Sequence, residues 1–204
     1  MHKRKWNIFF LLTFISATGF CQNNSQFYYN RAQEKAAKFL NQSAIEDYNK
    51  AIEIQPDYQK AFFNRGVAKA ELIDFYGSIQ DFTTYIKLNP SDADGYFNRG
   101  TSKCQAGDNR GAILDFNKAI KLNPRISSFY CNRGIAKDEL KDYIGAINDY
   151  TKAIALKPDN LNAYYNRGMV KIKLGKKNSA CFDFSKSGEL GNDLAYKAIS
   201  KFCQ

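Results

Sequence analysis

The tripeptide Asn-Arg-Gly stands at Asn64–Gly66, Asn98–Gly100, Asn132–Gly134 and Asn166–Gly168, each 34 residues after the last. One period earlier, Asn30, Arg31 and Ala32 keep the pattern with alanine in the glycine place. Self-similarity at this period marks stacked supersecondary units, none of which can bury its apolar face alone. The units fall at 25–58, 59–92, 93–126, 127–160 and 161–194, with a short remainder at 195–204.

Further columns keep the same period. An aromatic precedes each Asn by two residues, at Tyr28, Phe62, Tyr96, Tyr130 and Tyr164. A second aromatic column runs through Tyr48, Phe82, Phe116, Tyr150 and Phe184, with small residues four places before it at Ala44, Ser78, Ala112, Ala146 and Ala180. Pro56, Pro90, Pro124 and Pro158 close four of the units. The apolar spacing predicts two amphipathic helices per unit, the first running from near the leading aromatic to Leu72 or Leu140, the second from about Ala146 to Leu156. Small residues let the paired helices approach, and proline ends the second because it lacks an amide donor. In period and in order of columns the chain resembles the tetratricopeptide repeat, from residue 25 to the end. That resemblance implies an all-α fold, a right-handed alpha-alpha superhelix of five helix-turn-helix repeats with a C-terminal capping helix. It also implies a concave groove that binds another protein or peptide segment.

The last unit departs from the pattern as a terminal unit would: Asn192 replaces proline, Ser187 the alanine, and Gly188 an isoleucine. Leu194, Ala195, Ala198, Ile199 and Phe202 form one apolar stripe, which predicts the cap. In the second unit Tyr85 fills a slot that is alanine or serine elsewhere, so either the stack widens there or a neighbour is trimmed to fit.

Charged columns also recur. Arg31, Arg65, Arg99, Arg133 and Arg167 share the face of the leading aromatic, and Lys35, Lys69, Lys103, Lys137 and Lys171 follow four residues on. Asp47, Asp81, Asp115, Asp149 and Asp183 lie on the second helix. Counting across the turns brings each Asp level with the Arg of its own unit or the next, so an ionic ladder that sets register is expected. Units stacked about 10 Å apart keep these carboxylates from sharing a metal ion.

The resemblance places the Asn column, Asn30, Asn64, Asn98, Asn132 and Asn166, by the concave wall, where an amide offers donor and acceptor to a peptide backbone. It places Tyr29, Phe63, Phe97, Cys131 and Tyr165 there as well, the aromatics suited to apolar side chains. The competing reading is that the Asn side chains satisfy local groups and the aromatics only pack. A known subclass grips a chaperone's terminal carboxylate with cations on the first helices. The corresponding positions hold Tyr29, Gln33, Asn64, Asp94 and Asn98, of which only Asn64 matches, so that mode is rejected.

Residues 1–21 read as a secretory signal: Lys3, Arg4 and Lys5 precede an uncharged apolar run from Trp6 to Phe20. That run is short for a membrane span, and Gly19 and Cys21 suit cleavage before Gln22. Phe20 before Cys21 disfavours lipidation. The expectation is an exported chain, periplasmic or on the outer surface, with no membrane span after cleavage. Removing 1–21 leaves 27 basic and 20 acidic residues, a net charge of +7, with lysines evenly spread and no patch that points to nucleic acid.

Cys104, Cys131, Cys181 and Cys203 follow the leader, and the only histidine is His2. No C-x-x-C pair occurs, which argues against zinc, and Ser-His or Cys-His catalysis has no base. No enzymatic activity, cofactor or metal is expected. Hairpin counting sets Cys181 near Cys203, so the pair either forms a disulfide or, since Cys181 stands in an isoleucine column, simply packs in the core.

Overall fold

The computed structural model describes residues 24–204; the expected signal at 1–21 and its cleavage point lie outside the described residues. These residues are all-α, with no strand among them. They divide along the chain into two compact units, the first ending at Pro90 and the second beginning at Ser91. The first holds α1 (24–37), α2 (Asn41–Ile54), α3 (Gln59–Glu71) and α4 (Phe75–Leu88). The second holds α5 (Ala93–Gln105), α6 (Asn109–Leu122), α7 (Ser127–Glu139), α8 (Tyr143–Leu156), α9 (Leu161–Lys173), α10 (Lys177–Glu189) and α11 (Asp193–Phe202).

In the first unit α3 packs on α4 and on α2. In the second, α5 pairs with α6, α7 with α8 and α9 with α10, while α6 meets α7 and α8 meets α9. The first helices α5, α7 and α9 also touch in succession, so each hairpin presents one helix to a shared wall. Both helices of a hairpin begin about one turn earlier than the apolar pattern indicates. For α4, α6 and α8 the reason is a polar cap: Asp74, Asp108 and Asp142 accept from the amides of Gly77, Gly111 and Gly145 at 2.9–3.0 Å.

The core forms where the second-helix aromatics meet the first helices. Tyr48, Phe82, Phe116, Tyr150 and Phe184 are essentially sealed from solvent. An added Cβ at Gly66, Gly100, Gly134 or Gly168 would lie 3.2, 2.9, 2.8 or 2.6 Å from the ring of Phe82, Phe116, Tyr150 or Phe184, so the recurrent glycine is a contact surface for the recurrent ring. Tyr85 packs edge-on against Phe63 with ring centroids 5.0 Å apart. At the hairpin turns Gly107, Gly175 and Gly191 have positive φ, and Phe39, Ile73 and Lys141 adopt the same conformation at 59°, 66° and 62°. This is costly for a side chain and most of all for a β-branched one.

The cap α11 starts at Asp193 and buries Ala195 and Ala198 over α10. Leu194 does not join the buried stripe: it is 54% exposed, because it occupies the first turn beside Asn192, whose side chain accepts from its amide. Cys181 and Cys203 form a disulfide with Cα atoms 5.8 Å apart, tying α10 to the residue after α11.

Candidate functional site

The wall of first helices is held by the charged columns. Each column Asp is buried and takes a fork from the Arg of its own unit: Nε–Oδ2 distances are 2.7–2.9 Å and Nη2–Oδ1 distances 2.5–2.7 Å. The Lys four residues after each Arg adds a second cation 2.7–2.8 Å away, so every carboxylate of the column answers two positive groups. The Arg31 guanidinium, with further help from Lys35, holds Asp47 down to about pKa 2. Within each compact unit, the Arg of the following repeat does not reach the Asp. It reaches the residue two places on, as in Arg65 to Asn49 and Arg133 to Asn117, both 2.6 Å, and Arg167 to Thr151 at 3.0 Å. Each guanidinium also lies over the leading aromatic of its helix, 5.1 Å from Tyr28 and 5.4–5.8 Å from Phe62, Tyr96, Tyr130 and Tyr164. The ladder therefore fixes the spacing of the first helices and leaves none of its carboxylates poised for chemistry.

The Asn column lies beside this ladder, exposed at Asn30 and partly exposed at Asn64, Asn98, Asn132 and Asn166. Its members differ in what they hold. Asn30 accepts from Gln26 at 2.6 Å, Asn64 donates to the Tyr29 hydroxyl at 2.8 Å, and Asn98 donates to the Asp94 carbonyl at 2.8 Å. Asn132 donates to Thr101 Oγ1 at 3.3 Å, which links the wall from α7 to α5. In the second unit Asn98, Asn132 and Asn166 sit on the successive helices α5, α7 and α9.

The neighbouring aromatics are not free groove side chains. Tyr29 is 6% exposed and packs with its ring tilted against Tyr58 at 5.0 Å and Tyr48 at 5.9 Å. Cys131 is buried as well. Phe63, Phe97 and Tyr165 are half-buried against Phe82, Phe116 and Phe184. The reason is positional. Each stands three residues before the glycine column, or Ala32, and so shares the face pressed on the second helix. That spacing was available in the sequence as a sign of packing.

A cavity of about 530 Å³ opens in the second unit at the N-terminal ends of α7 and α9, with Asn132 on its lining. Burial raises the thiols of Cys104 and Cys131 to about pKa 11, which makes both poor nucleophiles at neutral pH. Among the described residues no three metal-binding side chains cluster, and no helix is long and apolar enough to cross a membrane.

The family model described as TPR repeat matches residues 41–72 and 139–175, and that described as tetratricopeptide repeat matches 161–190. No curated protein matches the sequence. Among solved structures the fold is similar to MamA, at 22% identity over 88% of this chain and 95% of that one, with a TM-score of 0.75. The MamA of Desulfovibrio magneticus RS-1 covers 82% and 94% at 18% identity, with a TM-score of 0.77. YrrB, described as a TPR protein with an unusual peptide-binding site, covers 85% and 90% at 18% identity, with a TM-score of 0.70.

Proposed function

As the chain belongs to the tetratricopeptide repeat proteins, a scaffold fold typical of protein–protein interaction, we propose that it binds a segment of another polypeptide along its first helices, without catalysis of its own. The observation that carries this reading is the row Asn98, Asn132 and Asn166 on helices that touch in succession. Each of these amides retains hydrogen-bonding capacity beyond its bonds within the chain, which suits a ligand's peptide groups. Apolar recognition by the adjacent aromatics has less support, since their rings are committed to packing. The absence of a histidine after His2, the paired column carboxylates and the raised thiols support a non-catalytic role.

The partner is proposed to be an envelope protein, the chain being exported to the periplasm or outer surface. The signal-like leader supports this, and so does the Cys181–Cys203 bridge, because disulfides persist in oxidising compartments.

The test replaces Asn98 and Asn132 with alanine and captures partners from an envelope extract. The expected result is loss of partners that the parent protein retains, with helical content unchanged. Undiminished capture would sink the groove. A second reading, an adaptor that leaves the groove unoccupied, is favoured by one observation: hairpin-turn residues Phe39 and Ile73 are 87% and 74% exposed despite their positive φ. Under that reading serine at both positions abolishes capture and the asparagine variant does not.

A further inference from the structure

The cavity at the starts of α7 and α9 has a composition that neither the ladder nor the asparagine row explains. Two cations line it, Arg125 from the α6–α7 linker and Lys157 from the end of α8, and no carboxylate does. Neither cation takes part in an ion pair among the described residues, unlike the Arg and Lys of the ladder. Each is followed or preceded directly by an apolar lining residue: Arg125 by Ile126, and Lys157 by Leu156. The remaining donors are peptide-like. Asn160 is occupied, donating to Ser127 and accepting from the amide of Ala163, whereas Asn162 is exposed and the Asn132 side-chain oxygen is not engaged.

We propose that this cavity seats the C-terminal residue of a partner polypeptide, its carboxylate on Arg125 and Lys157 and its apolar side chain against Ile126 and Leu156. The inference rests on the polypeptide-binding reading and deepens it. Charge complementarity selects an anion. Volume and lining select more than a bare ion, since about 530 Å³ far exceeds one carboxylate and an apolar lining residue adjoins each cation in the chain, in alternation of charge and hydrocarbon along the sequence. A chain terminus matches that alternation because carboxylate and side chain leave the same carbon. An aspartate or glutamate carries its charge at the tip of the side chain, on a carbon that bears no apolar side chain of its own. These cations come from inter-repeat linkers of the second unit, not from first-helix positions.

The test uses fluorescein-labelled hexapeptides randomised at four positions and ending in valine-leucine. They are compared as free acid, as C-terminal carboxamide, and as carboxamide with an internal glutamate, against the purified protein. A charge-assisted contact of this kind predicts roughly tenfold or more tighter binding of the free acid than of either amide. The Arg125→Gln/Lys157→Gln variant, altered only at exposed linker side chains, is expected to erase that preference with unchanged helical content. Equal binding of acid and amide, no binding of any pool, or a preference that survives in the variant would overturn the proposal. So would equal binding of the internal-glutamate amide, which assigns a side chain, or displacement by excess inorganic phosphate alone, which assigns a free anion. No acid preference in the parent protein, with its capture of envelope partners intact, would remove the pocket and leave the groove standing.

Discussion

A single methyl group probes how closely the repeat is packed. Alanine in place of a helical glycine gains about 1 kcal/mol of helix propensity, while overpacking a core costs about 1–3 kcal/mol. At Gly66 the nearest ring atom would lie at 3.2 Å, so the two effects nearly cancel; at Gly168 it would lie at 2.6 Å from the fully buried Phe184, which has no room to retreat. Gly168→Ala is therefore expected to lower stability by about 1–2 kcal/mol and Gly66→Ala by little, as urea unfolding would measure. Ala32 shows that the fold can accommodate the methyl where the partner is Tyr48. Asp47 supplies a second expectation at this scale. Its pKa falls from 3.8 to about 2 on folding, so the carboxylate stabilises the protein above pH 4 and this contribution vanishes as pH drops through 2. The full effect is about 2 kcal/mol, and an NMR titration of the Asp47 carboxyl with a midpoint near 4 would refute it.

Among the elements, α11 depends most on a single link. It contacts α10 through a short apolar face, and the bridge from Cys181 to Cys203 closes a sequence separation of 22 residues. Closing a loop of that size contributes roughly 3 kcal/mol, so reductant is expected to lower the unfolding midpoint and to speed hydrogen exchange in α11 before the other helices. Uniform exchange across α9, α10 and α11 after reduction would show that the cap holds without it. Helix bounds also illustrate what a pattern of apolar residues omits. The second helices α4, α6 and α8 start at Phe75, Asn109 and Tyr143, each directly after a capping aspartate. Those caps, Asp74, Asp108 and Asp142, lie outside the apolar stripe that reveals the helix.

The whole molecule carries its address in the leader, under the export proposed above. Intact-mass analysis of the protein recovered from the periplasm of a Gram-negative host is therefore expected to give a chain beginning at Gln22. Recovery of the full 204 residues in the membrane fraction would replace export with anchoring.

The period, the two-helix unit, the all-α class and the residues that form columns were legible in one dimension, because a repeat writes each structural demand several times over. Asp47 and Arg31 were visible as partners in kind. Tertiary structure alone chose between the Arg of the same unit and that of the next, since two residues turn a helix by about 200° and send Asp47 into its own hairpin and Asn49 toward the following one. It likewise turned Tyr29 inward against Tyr58, which belongs to the far end of the same repeat. It gathered Arg125 and Lys157, from separate linkers, around one cavity. Such pairings depend on how successive hairpins stack, and a one-dimensional pattern carries the spacing of residues but not the angle at which helices meet.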